Sequence, residues 1–171
     1  MSAQTCRLKN LFVNIAACHA LFSRQHSTAL TGLVLVYPLL GGDPCQGSYL
    51  HHANAPLLTT SAVAACWAAS NGSAANFSNY VISGDLRCKP LAASDYSALP
   101  TTLISTAQCD PLSSDGELMR DRILAAGGRA VLCEERGLVH GFLHARHISA
   151  RALQAFRRIT ESITEMVKLL A

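Results

Sequence analysis

The fold is decided by residues 103–142, which read LISTAQCDPLSSDGELMRDRILAAGGRAVLCEERGLVHGF. The stretch begins within Thr101–Thr106, a run rich in apolar and β-branched residues that predicts a strand. A helix is predicted over Asp115–Ala126, which a pair of glycines ends, and a further strand over Ala130–Cys133. This order of strand, helix and strand indicates parallel strands joined by a right-handed crossover.

The same alternation continues on both sides of this unit. Upstream, Leu33–Tyr37 is a continuous apolar run closed by Pro38, which predicts a strand buried on both faces of a parallel sheet. Helices are predicted over residues 10–24 and 59–70 and, from regularly spaced apolar positions, over residues 150–169. The sequence therefore predicts an α/β fold with a short parallel sheet of about three strands flanked by helices.

Length and composition favour a single domain spanning residues 1–171. Half of the residues are apolar and 15% are charged, which does not suit a disordered chain. No uninterrupted apolar run approaches the roughly 18 residues of a membrane span. The formal charge is +3 with scattered basic residues, so no nucleic-acid partner is expected. Seven cysteines without a C-x-x-C pair predict mostly buried thiols in a reducing cytoplasm.

Two ionisable side chains follow predicted strands, where α/β sheets collect their functional groups. Asp110 comes after the strand that ends near Ala107, and His140 lies in a predicted loop after the third strand. A carboxylate that accepts a hydrogen bond from an imidazole fixes its tautomer and stabilises the imidazolium formed in acyl transfer. Taken singly, Asp110 before Pro111 is more often a turn or capping residue, and His140 a structural histidine.

An ordered series of motifs resembles the hormone-sensitive-lipase-like carboxylesterases, which are serine esterases with an α/β-hydrolase fold. The series covers roughly residues 14–170 and consists of Tyr37-Pro38, Pro56-Leu57-Leu58-Thr59, Trp67, Arg87, Pro90-Leu91, Leu99-Pro100, Asp110-Pro111-Leu112, Asp115-Gly116-Glu117, Ala125-Ala126-Gly127 and Gly137-Leu138-Val139-His140-Gly141-Phe142. The resemblance implies that Asp110 is the triad acid and His140 the general base, in the family's chain order of Ser, Asp and His. It also implies a small acyl ester as substrate, no cofactor, and a place for Trp67 in a segment that shapes the acyl or alcohol pocket.

Two catalytic parts of that family do not occur in the sequence. Asn10 stands where the resemblance places the nucleophile serine, and neither G-x-S-x-G nor the H-G-G-G oxyanion segment is present. Without a nucleophile the covalent route is lost, so we expect the chain alone to be a very poor esterase. The prediction is a truncated α/β-hydrolase domain in which residues 1–13 match nothing in the family. The alternatives are a non-catalytic binding or interaction module and a truncated gene product.

Three histidines and one cysteine are further candidates for a functional site. His140, His144 and His147 have helical metal-ligand spacing, but Gly141 weakens a helix there and no H-E-x-x-H glutamate accompanies them, so no metal site is predicted. Cys109 belongs to the acid loop and not to a strand-to-helix elbow, which favours a buried thiol over a replacement nucleophile.

The strand predicted over Leu33–Tyr37 is expected to form an edge of the sheet. The family resemblance implies that it has lost its upstream neighbour. It carries none of the lysines or bulges that normally protect an edge strand from pairing with another chain. We therefore expect self-association through this strand.

Overall fold

The computed structural model describes residues 30–70 and 89–168, and within them three strands form one sheet. The strands are β1 (Leu33–Val36), β2 (Thr102–Cys109) and β3 (Ala130–Val139), in the order β1-β2-β3. Both neighbouring pairs are parallel, which confirms the predicted α/β fold with a short parallel sheet. Within this part of the chain β1 is an outer strand.

Four α-helices occur in the described ranges. They are α1 (Ser48–His51), α2 (Thr60–Ser70), α3 (Ser113–Ala125) and α4 (Ala150–Lys168). The predicted helices over residues 59–70, 115–126 and 150–169 are confirmed to within about two residues at each end, the usual uncertainty of a helix boundary. The helix predicted over residues 10–24 lies outside the described residues. No helix in the described ranges is long and apolar enough to cross a membrane.

The start of α2 follows from a capping residue that the sequence also indicates. The side-chain oxygen of Thr59 accepts a hydrogen bond from the N–H of Ala62 at 3.1 Å, and its carbonyl accepts one from Val63 at 3.0 Å. A threonine in this place satisfies backbone donors that the first helical turn cannot pair internally. Hence the helix begins one residue after Thr59.

Helices α3 and α4 cover opposite faces of the sheet. On one face, Leu33 and Leu35 of β1 belong to the core cluster that contains α3 residues. On the other, Val34 and Val36 pack against the cluster that α4 contributes to. Because successive side chains of a strand point to opposite faces, a strand covered on both sides must be apolar at every position. This explains the continuous apolar run of β1.

Strands β2 and β3 both extend beyond their predicted ends, Thr106 and Cys133. Regular pairing runs to Ala107 opposite Glu135 and resumes with Cys109 opposite Val139, so β3 carries extra residues in an irregularity. β3 therefore runs to Val139 and not only to the predicted end at Cys133, while His140 follows the strand as predicted. The polar residues and the glycine before Leu138 carry no strand signal, and tertiary pairing with β2 overrides that local preference.

The irregularity in β3 depends on Gly137. Its φ of 68° lies in the left-handed region, which favours glycine. The N–H of Gly137 donates a hydrogen bond to the side-chain oxygen of Gln108, a residue of β2, at 2.9 Å. A side chain at this position would also collide with the guanidinium of Arg151.

The cysteines differ from the prediction of buried thiols. Cys66 is disulfide-bonded. Cys45, Cys109 and Cys133 are free, and Cys45 is exposed while the other two are partly exposed. Among the described cysteines, the prediction of buried free thiols is therefore wrong.

Candidate active site

Asp110 and His140 lie in direct contact at the carboxyl ends of β2 and β3. The Nδ1 atom of His140 is 2.8 Å from the Oδ2 atom of Asp110. The irregularity in β3 makes this contact possible, because it brings Val139 opposite Cys109 and so places the next residue of each strand side by side. Had the regular register continued from Ala107 and Glu135, the neighbour of Asp110 would be Leu138.

The carboxylate of Asp110 is fully buried, and both of its oxygens have a hydrogen-bond partner. Oδ2 faces His140, while Oδ1 accepts a hydrogen bond from the N–H of Leu112 at 2.9 Å. The backbone carbonyl of Asp110 accepts a further bond from Ser113 at 3.1 Å. Asp110 therefore also fills the turn role expected of an Asp-Pro pair, and the turn holds the carboxylate towards the histidine.

A pair of serines fixes the loop that carries Asp110. The hydroxyl of Ser48 donates to the carbonyl of Pro111 at 2.6 Å and accepts the N–H of Ser114 at 3.0 Å. In return, the hydroxyl of Ser114 accepts the N–H of Ser48 at 2.9 Å. These bonds tie the start of α1 to the start of α3 across 66 positions of sequence. No sequence pattern predicts this contact, because neither serine stands in a motif.

His140 presents its second ring nitrogen to a partly open surface. Its side chain is 27% exposed, whereas Asp110 is closed to solvent. Gly141, with a φ of 75°, turns the chain sharply after His140, and the next residue, Phe142, is buried in the cluster against α4. When Nδ1 carries the proton that faces Asp110, Nε2 is the basic nitrogen. The arrangement can therefore accept and return a proton at Nε2.

Tyr37 completes the surroundings of His140. Its ring centroid lies 4.8 Å from that of His140, with the planes at 58°, and 5.2 Å from that of Phe142 in an edge-to-face contact. Burial, and in second place the negative charge of Asp110, raise the pKa of the Tyr37 hydroxyl. From the sequence, Tyr37 is assigned only to the first strand and to the motif series. In the structure it directly follows β1, as Asp110 follows β2 and His140 follows β3.

Asp115 is another buried carboxylate, and its hydrogen bonds stabilise the loop that follows β1. Its Oδ2 atom accepts the N–H groups of Leu40 at 2.7 Å and Gly41 at 3.1 Å, and the hydroxyl of Tyr49 at 3.2 Å. Burial outweighs these donors and raises the pKa of Asp115 from 3.8 to about 6. Through these bonds α3 holds the loop that follows β1.

Trp67 lies in the core and not on the surface of the site. Its side chain is 3% exposed and belongs to a cluster with Leu39, Tyr49, Val63 and Leu112. Its indole N–H has no hydrogen-bond partner among the described residues. Leu112 connects this cluster to the acid loop. The role of Trp67 in substrate binding remains a prediction.

An open depression of about 280 Å³ adjoins the strand end that carries the acid. Residues 50–56 and Cys109 line it. Cys109 is therefore at a surface and not buried as expected, and it directly precedes Asp110. Within residues 30–70 and 89–168, no group of three or more His, Cys, Asp or Glu side chains is arranged to hold a metal ion.

Comparison with known proteins identifies the family of this chain. Residues 13–144 match the sequence pattern of the alpha/beta hydrolase fold, and the chain belongs to that family. It is 29% identical over 167 residues to Carboxylesterase NlhH of Mycobacterium tuberculosis, a match that covers 85% of this chain and 47% of the relative. The chain thus spans about half the length of the curated relatives it matches.

Solved structures show the same fold. The crystal structure of DphMB1 is 25% identical with a TM-score of 0.79, and covers 90% of this chain and 50% of that one. ESTFA is also 25% identical, with a TM-score of 0.72 and coverage of 90% and 48%. A structure from an analysis of two fungal esterases of Rhizomucor miehei has a TM-score of 0.77 at 22% identity, covers 92% of this chain and 48% of that one, and supports the fold alone.

Proposed function

We propose that residues 14–170 form the acid–base part of a serine carboxylesterase, with Asp110 as the triad acid and His140 as the general base. The contact of 2.8 Å between the two side chains carries the proposal. Membership of the α/β-hydrolase family and similarity to a protein named a carboxylesterase support it. Under this proposal residues 1–171 form a single domain, of which residues 13–144 match the family.

The proposed mechanism is acyl transfer. Nε2 of His140 takes the proton of a serine hydroxyl as that oxygen attacks the ester carbonyl, and later returns it to the leaving alcohol. The buried carboxylate of Asp110 holds the proton on Nδ1 and stabilises the imidazolium. The serine and the oxyanion donors would come from segments that these 171 residues do not contain, since no G-x-S-x-G or H-G-G-G occurs.

We place the substrate, a short or medium acyl ester, at the depression lined by residues 50–56 and Cys109. This surface adjoins the acid residue and is open to solvent. Leu50 is 58% exposed there, which offers an apolar contact to an acyl chain or an alkyl alcohol. Trp67, packed with Leu112, would support the wall of the site from inside.

Two measurements test the proposal. The chain alone should hydrolyse p-nitrophenyl butyrate no faster than its His140→Ala variant, because the covalent step lacks its nucleophile. Turnover that both an organophosphate and the His140 change abolish would contradict this and reveal a serine elsewhere in the chain.

The second measurement restores the missing segments. Residues 1–13 are replaced by the part of the mycobacterial carboxylesterase that the resemblance places ahead of residue 14. In an active chimaera, His140→Ala should lower kcat by about 10⁶-fold and Asp110→Asn by about 10⁴-fold. His147→Ala, which alters an exposed histidine nearby, is the matched control. Full activity in the His140 variant would overturn the assignment.

A further inference from the structure

We propose that Tyr37 is a positioning residue for His140. The inference rests on the proposed function, because it concerns the residue assigned there as the general base. The ring of Tyr37 contacts His140 and Phe142, which stand on the two sides of Gly141. Tyr37 thus holds both ends of the turn that carries the imidazole.

The turn itself gives His140 little support. Gly141 has a φ of 75° and, without a side chain, is free to adopt other backbone conformations. One ring nitrogen of His140 is fixed by Asp110, but a single hydrogen bond leaves the ring free to swing about that bond. The tilted contact with Tyr37 at 4.8 Å and 58° closes one side of the ring to that motion.

The backbone of Tyr37 shows that the ring is held in place against a local preference. Its φ of 39° lies in the left-handed region, which a tyrosine rarely adopts. Its N–H donates to the carbonyl of Ser105 at 2.6 Å, which ties the residue to β2. Non-glycine residues keep such a conformation only where their surroundings fix it, and they concentrate at functional sites.

The ring also keeps water from the pair. Asp110 has no exposed surface, and the His140 side chain is 27% exposed. The Tyr37 hydroxyl is neutral near neutral pH, and burial together with the charge of Asp110 raises its pKa further, so the ring adds no second negative charge. The consequence is a protected proton between Nδ1 of His140 and Asp110, which a residue that merely fills the core would not produce.

The test is the exchange of that proton with solvent, measured by NMR on the intact ¹⁵N-labelled chain. Three variants separate the possible causes. Tyr37→Phe keeps the ring and removes the hydroxyl. Tyr37→Gly removes the ring and also relaxes the left-handed backbone. Leu57→Gly is the matched control, because within residues 30–70 and 89–168 Leu57 is the other non-glycine residue with a positive φ, at 69°, and its side chain is exposed.

We expect the Nδ1 proton of His140 to exchange at the wild-type rate in Tyr37→Phe and in Leu57→Gly. In Tyr37→Gly it should exchange on the order of tenfold faster, or its signal should be lost. The wild-type rate in a folded Tyr37→Gly chain would overturn the inference. Should that variant not fold, the absence of a nuclear Overhauser contact between the Tyr37 and His140 rings in the wild type would overturn it instead.

The outcomes also separate this inference from the proposed function. If the wild-type chain shows no hydrogen-bonded Nδ1 proton, the Asp110–His140 pair is absent and both proposals fail. If the proton is present and its exchange rate does not change when Tyr37 is replaced, only the role of Tyr37 fails.

Discussion

Asp115 should make the stability of this protein depend on pH in the direction opposite to that of an ordinary carboxylate. The residue is fully buried, and burial raises its pKa from 3.8 to about 6. The folded chain therefore binds a proton on Asp115 more tightly than the unfolded chain does. Between these two pKa values the folded state holds more protons, so the free energy of unfolding falls as pH rises.

The size of the effect follows from the shift. About two pKa units at about 1.36 kcal/mol each give about 3 kcal/mol. This contribution is fully present below pH 3.8 and is lost as the pH rises through about 6. It is comparable with a large part of a domain's net stability of about 5–15 kcal/mol.

The assay is urea unfolding at a series of pH values from 3.5 to 7 for the wild type and for Asp115→Asn. The variant keeps an oxygen that can accept the N–H groups of Leu40 and Gly41 but cannot titrate. The stability of the wild type relative to the variant should fall by about 3 kcal/mol across this range. Asp121→Asn, which changes an exposed carboxylate of the same helix, is the matched control. A difference that stays constant, or that grows with pH, would refute the reasoning.

The effects of substitutions at Gly137 and Arg158, and the association state of the unchanged chain, test other parts of the structure. Gly137→Ala should destabilise the chain by about 1–2 kcal/mol, because a φ of 68° disfavours a side chain; an unchanged urea midpoint would show that the irregularity in β3 does not need glycine. Arg158→Met should lower the free energy of unfolding by about 3 kcal/mol, because it leaves the buried carboxylate of Glu135 without its ion-pair partner. Adding Glu135→Gln should restore most of that stability. A double variant as unstable as Arg158→Met alone would show that the two residues are not coupled. The chain should self-associate through β1, which light scattering at micromolar concentration measures. A strictly monomeric species that unfolds cooperatively would contradict this prediction.

The fold could be predicted from sequence wherever the apolar positions of an element follow a regular pattern. Leu33–Val36 is apolar at every position because helices cover both faces of the sheet, and the amphipathic spacing of α4 reports its single buried face. β3 could not be delimited in the same way. Glu135 is 2% exposed within the strand, where its carboxylate pairs with Arg158 and accepts a hydrogen bond from Ser105. An ion pair between distant elements has no local signature.

In the candidate site, too, some residues could be predicted from local sequence patterns and others could not. Asp110 and His140 could be proposed because each follows a strand and because their order and spacing match a known pattern. Ser48 could not, because its bonds to Pro111 and Ser114 join parts of the chain that are more than 60 positions apart. The irregular pairing that sets Asp110 beside His140 is also a property of two strands together and not of either strand.

The proposed acid–base pair lies within the described residues of this chain. β2 and β3 bring the two side chains together, the Ser48 and Ser114 contacts fix the acid loop, and the ring of Tyr37 lies against the imidazole. None of these contacts involves a nucleophile or an oxyanion donor. Under the proposed function, esterase activity needs a serine hydroxyl within hydrogen-bond reach of Nε2 of His140, about 2.6–3.2 Å, together with oxyanion donors.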